Sequence, residues 1–150
     1  MAAISCEQSI AASPERVFAV CTDFANAAKN VRGIDACEVL TEGPIGVGTR
    51  FRETRTMMGK KATETMEIVE FDAPRSYTTL AESCGCQYRA RFDFLPEASG
   101  TRLRMTFEGT PLTTGAKIMS FIMRPLMTGM VRKCVMQDMA DVKAACEANA

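Results

Sequence analysis

One hundred and fifty residues make one ordinary domain, and a chain that is 47% apolar and 24% charged has the composition of a folded core with a wet surface. Eighteen basic residues balance eighteen acidic ones, which argues against a nucleic-acid binder, whose affinity rests on phosphate neutralisation. Histidine is absent, which removes Ser-His-Asp and Cys-His catalysis and imidazole-based zinc and haem sites.

No apolar run is long enough for a membrane-spanning helix, and the first residues lack the basic start and apolar block of a secretory signal. The seven cysteines therefore read as small core residues or inert thiols in a reducing, cytoplasmic setting. Cys84-Gly85-Cys86 is the one close pair, and without a second pair it reads as a turn between strands. No disulfide, metal or cofactor is expected.

In chain order, Ile4 to Ile10 alternates apolar and polar residues and predicts a strand. Ser13-Pro14-Glu15 opens a helix with a hydroxyl cap, a first-turn proline and an acid at the positive dipole end. Thr22-Asp23-Phe24 starts a second short helix that ends before Gly33. Six strands follow: 34–41, 49–57, 61–71, 76–83, 87–95 and 101–109, separated by turn residues such as Met58-Gly59-Lys60 and Asp72-Ala73-Pro74. Their short connections predict an antiparallel meander. After Thr113-Thr114-Gly115 the period becomes helical, with Ile118, Phe121 and Ile122, then Leu126, Met130, Cys134 and Val142. Arg124-Pro125 is expected to interrupt that helix. Six of the eleven methionines, Met119, Met123, Met127, Met130, Met136 and Met139, fall here, and their adaptable side chains suit a helix lying over a cavity.

This order resembles the helix-grip superfamily, often grouped as SRPBCC, that includes START lipid-transfer domains, the birch pollen allergen family and polyketide cyclase/dehydrase-like proteins. Three passages carry the likeness. Ala12-Ser13-Pro14-Glu15-Arg16-Val17-Phe18 with Thr22-Asp23-Phe24 is similar to the opening of bacterial members. Gly43-Pro44-Ile45-Gly46-Val47-Gly48-Thr49-Arg50-Phe51 is similar to their glycine-rich entry into the third strand. Val69-Glu70-Phe71-Asp72-Ala73-Pro74-Arg75 is similar to the turn between the fourth and fifth. One departure is Lys29-Asn30-Val31, where many relatives carry a tryptophan. The resemblance implies a single α+β domain over residues 1–150, with two short helices after the first strand and a seven-stranded antiparallel sheet wrapped around a long C-terminal helix. It also implies a hydrophobic-ligand pocket between sheet and helix.

Strand parity then nominates the lining: Phe51, Glu53, Arg55 and Met57 on the third strand, Met66 and Ile68 on the fourth, Tyr77 on the fifth, and Tyr88, Phe92, Met105 and Phe107 on the last two. Parity on the fourth and fifth strands is open to reversal by a single bulge. Met119, Ile122, Leu126 and Met130 of the helix are expected to close the space. Glu53 and Arg55, beside apolar neighbours, must pair with each other or with a ligand if they face inward. They then orient a ligand carbonyl or carboxylate, or Glu53 with a raised pKa performs acid-base work. If they reach water at the strand end, they do neither.

Three functions remain open. The first is binding or carriage of a hydrophobic small molecule such as a lipid or polyketide. The second is a small cyclase- or dehydratase-type enzyme acting on such a ligand, which needs little beyond shape and a few donors. The third is a protein-interaction module, favoured by an exposed methionine surface on the last helix. The expected partner is an apolar small molecule, with no nucleic acid, no integral membrane association, and a monomeric or weakly dimeric state.

Overall fold

Alternation builds the first element: along β1 (Ile4–Ile10) Ile4, Cys6 and Ile10 are buried while Ser5, Glu7 and Ser9 face solvent. The computed structural model describes residues 3–57, 59–83 and 85–148, with the side chains of Met57, Arg124, Pro125 and Met127 outside that description. In α1 (Pro14–Thr22) the Ser13 hydroxyl accepts the Arg16 N–H at 3.2 Å, Pro14 occupies the first turn, and Val17 and Phe18 are buried. A 3-10 turn (Phe24–Asn26) and α2 (Ala27–Asn30) complete the second predicted start.

The remaining strands are β2 (Ala36–Val39), β3 (Arg50–Met57), β4 (Lys60–Asp72), β5 (Ser76–Ser83), β6 (Cys86–Glu97) and β7 (Gly100–Pro111). All pairings are antiparallel in the order β1-β7-β6-β5-β4-β3-β2, so β2 to β7 form a meander and β1 adds to the free edge of β7. β2 is shorter than the stretch 34–41 expected, because Ile34 is buried and its N–H bonds the Val31 carbonyl rather than a strand.

Register puts one set of side chains on one face: Phe51 lies opposite Met66, Tyr77 opposite Phe92, and Phe92 opposite Met105. A bulge does occur in β4, between Ile68 and Glu70. It falls after Met66 and Ile68, so their inward parity stands. Beyond it Phe71 points inward beside Phe18, and Glu70 turns outward to Arg89 and Arg91.

α3 (Thr114–Ala148) is one helix of 35 residues that runs through Pro125, so the expected break does not occur. Proline withdraws a single amide donor, and one lost rung is not enough to end a helix of this length. The second half of α3 packs through Val135, Met139, Val142 and Cys146, all buried in the core. Its end is tied down where the Ala11 N–H donates to Glu147 at 2.8 Å. Among the described residues no helix is long and apolar enough to cross a membrane.

Candidate ligand-binding site

Curling of the sheet around α3 makes the inner face concave, and its two ends are filled differently. At one end aromatic rings close the space. Phe24 stacks on Phe51 with centroids 4.1 Å apart, Tyr77 stacks on Phe92 at 4.6 Å, and Phe18 meets Phe94 edge-on at 5.1 Å. Phe51, Ile68 and Tyr77 of the predicted lining belong to this packed cluster and are buried. Burial pushes the Tyr77 hydroxyl well above its ordinary pKa, with Cys21 and Glu53 adding to the effect.

Toward the β5–β6 turn the inner face is less covered. Tyr88 and Phe107 point inward there by register, Met66, Phe92 and Met105 lie between them and the packed cluster, and each of the five is only half-buried. Tyr88 and Phe107 stack at 5.6 Å. Small residues sit beside them, Ala81 opposite Tyr88 and Ala90 opposite Phe107, which keeps this part of the wall low. Met57 is expected on the same wall by parity, but its side chain lies outside the described residues.

The helix side departs from expectation. Met123, Met130 and Cys134 are half-buried, and Ser120 Oγ lies 4.0 Å from Cys86 Sγ. Met119, Ile122 and Leu126, expected to close the cavity, are instead 60%, 65% and 58% exposed. Both sides of this half-helix are apolar, so spacing alone could not tell the side facing the sheet from the side facing water. Only Met130 of the four is on the enclosed side. The methionines of α3 are therefore split between surface and core, with Met119 exposed and Met139 buried; Met127 and Cys84 fall outside the described side chains.

Polar groups converge where β3 meets α3. Arg55 donates through Nε to Glu53 and through both terminal nitrogens to Asp138, at 3.2 and 2.7 Å. All three side chains keep between 17% and 26% of their surface exposed, so the cluster is enclosed without being dry. Burial acts to lower the Arg55 pKa, but its hydrogen bonds to Asp138 and the charge of Glu53 outweigh it and hold it above its ordinary value. Burial and then Glu53 push the nearby Cys37 thiol up to about 11. Glu53 and Arg55 thus face inward, as parity predicted, and pair with each other. Asp138 was missed. It lies within a turn of Val135, Met139 and Val142, and an acid beside a buried helical stripe needs a cation facing it. Asp141 obeys the same rule: it accepts the Arg32 N–H at 2.9 Å and the Arg32 side chain at 3.1 Å, fixing the segment after α2.

β4 and β5 stop pairing beyond Glu67 and Leu80, and a depression of about 350 Å³ opens there between Arg50, Thr65, Met66, Glu67, Leu80, Ala81 and Glu82. Its charged rim makes it a different feature from the apolar inner wall. The six described cysteines are free thiols, and among the described residues no cluster of three or more acids or thiols is placed to hold a metal.

A meander and a long C-terminal helix, with a half-buried apolar inner face, define a helix-grip α+β fold. The family model described as polyketide cyclase / dehydrase and lipid transport matches residues 1–147, and the chain belongs to that family. Among solved structures it is similar to TTHA0849 from Thermus thermophilus, with 24% identity, a TM-score of 0.82 and 99% of each chain covered. A START superfamily protein from Mycobacterium smegmatis matches at 15% identity and a TM-score of 0.78 over 99% of each chain. The di-domain ARO/CYC BexL of the BE-7585A biosynthetic pathway matches at 16% identity and a TM-score of 0.81, over 97% of this chain and 50% of that one. These likenesses carry the fold. No curated protein matches the chain in sequence.

Proposed function

We propose that this protein binds or carries one elongated, mostly apolar small molecule of the lipid or polyketide kind, held between the concave sheet face and α3. One observation carries this reading. Five large inward-facing side chains, Met66, Tyr88, Phe92, Met105 and Phe107, stay half-buried beside a ring-on-ring cluster that Phe92 borders through Tyr77 and that buries its own rings fully. A domain that needed only a core would fill both ends. Tyr88, with its phenol on an otherwise apolar wall, and the Glu53–Arg55 pair serve as polar handles, the common arrangement in small-molecule sites. Phe51, Ile68 and Tyr77 back the wall, and Met130 faces it from α3.

The family description and the likeness to BexL favour a second reading, a cyclase- or dehydratase-type enzyme. Glu53 and Asp138 are both engaged by Arg55, which leaves acid-base work to a ligand-induced rearrangement and makes binding the stronger reading.

Ala90, in the middle of the wall, tests the proposal. Ala90→Phe should abolish saturable uptake of the uncharged fluorophore Nile red with little loss of stability. In a solid core the same change costs about 1–3 kcal/mol. Such a loss, joined to no uptake by the parent protein, contradicts the reading.

A further inference from the structure

The first half of α3 carries an apolar stripe that neither the core nor the inner wall uses. With residues advancing by roughly 100° along a helix, Ile118, Phe121, Ile122 and Leu126 fall together on the side opposite Ser120, Met123, Met130 and Val131. Phe121 is 81% exposed, and the other three are each more than half exposed. A contiguous exposed patch of large side chains on a soluble domain marks an interaction surface.

Charge indicates what covers it. The chain as a whole is neutral, but residues 109–137 contain Lys117, Arg124, Arg132 and Lys133 and no aspartate or glutamate. Lys117 and Lys133 are exposed, while Arg132 reaches back to the Ser5 carbonyl at 3.2 Å. The β3–β4 and β5–β6 turns lie at the end of the sheet where α3 begins, where exposed Lys60 and Lys61 are offset by exposed Glu82 and Asp35; the unbalanced cations are those of the helix itself. A second copy meeting this face on itself would set Lys117 and Lys133 against their own counterparts with no acid from either segment between them. An apolar stripe on a stretch of helix that carries cations and no acid of its own instead matches an interfacial helix on a negatively charged lipid surface.

We infer that the first half of α3 docks this protein on an anionic bilayer surface, with Ile118, Phe121, Ile122 and Leu126 in the headgroup boundary and Lys117 and Lys133 facing lipid phosphates. This goes beyond ligand binding and needs no ligand to be present.

The test is flotation with ligand-free vesicles of phosphatidylcholine alone or mixed three to one with phosphatidylglycerol. The protein should float with the mixed vesicles and not the neutral ones, and raised salt should weaken the association. Phe121→Glu and Ile118→Glu should each weaken it at least tenfold, with melting temperature and Nile red uptake in solution unchanged, because both side chains stand mostly in solvent. Lys117→Glu combined with Lys133→Glu should weaken it on mixed vesicles too. No flotation of the folded parent, or flotation unaffected by Phe121→Glu, overturns the inference. So does sedimentation velocity showing a dimer that Phe121→Glu converts to monomer, since the stripe then belongs to a second copy. Uptake of Nile red without flotation removes the docking and leaves the ligand site standing.

Discussion

Arg55 is where the two limbs of the grip meet. It comes from β3, near one edge of the sheet, and is held by Glu53 on its own strand and Asp138 on α3. Removing it leaves two partly enclosed carboxylates without their shared cation. Arg55→Met should therefore destabilise the fold by about 1–3 kcal/mol, measured by urea unfolding, and Arg55→Met with Asp138→Asn should recover part of that loss. Glu147 makes a second tie. The hydrogen bond from the Ala11 amide, and then Lys143, hold its carboxyl below the ordinary glutamate range. A pKa lowered by folding stabilises the native state above the ordinary value and loses that contribution as pH falls through the folded one. The melting temperature should thus fall below about pH 4.5, and fall less steeply in Glu147→Gln, which keeps an acceptor for the Ala11 N–H. Equal slopes for the two proteins would remove Glu147 from the acid sensitivity.

Among the elements, the β6–β7 hairpin presses most closely on its surroundings. Gly100 has φ +142°, and a Cβ there would lie 2.3 Å from the Ile10 carbonyl oxygen and 2.9 Å from the Ala12 nitrogen. Backbone cannot yield as a side-chain end does, so Gly100→Ala should cost about 2–4 kcal/mol. Gly46→Ala, with open space around its Cβ, should stay within about 0.5 kcal/mol of the parent; similar effects at both sites would refute the close-approach argument. Legibility in the sequence divides along similar lines. The alternation of Tyr88, Ala90, Phe92 and Phe94 against Arg89, Arg91 and Asp93 specified a face and matches the register, because one side is dry and the other wet. The Ser13-Pro14-Glu15 cap was legible because it is a local hydrogen-bond requirement. The passage through Pro125 was not, since local propensity cannot weigh one lost hydrogen bond against a whole helix. Nor was the orientation of α3's first half, apolar on both sides, or the pairing of Asp138 with Arg55 across 83 residues of sequence. The site was nominated half by parity and half by resemblance, and the helix side is the half that moved.

At the scale of the molecule, one long helix serves two ends of one concave face. Its second half completes a core with Phe18, Phe24, Phe51 and Phe94, while its first half starts beside the β5–β6 turn, where Ser120 lies 4.0 Å from Cys86. A fully buried aromatic end beside a half-buried apolar stretch of the same face is the arrangement on which the proposed ligand site rests. The eleven methionines include reporters for both ends: Met66 and Met105 on the open wall, and Met139 buried at the closed end. The most direct test is the methyl NMR spectrum of isotope-labelled methionines during titration with Nile red. The Met66 and Met105 signals should shift saturably with one equivalent bound, while Met139 stays in place. Saturable binding that leaves Met66 and Met105 unmoved, or no saturable binding at all, would contradict a ligand site between the sheet and the helix.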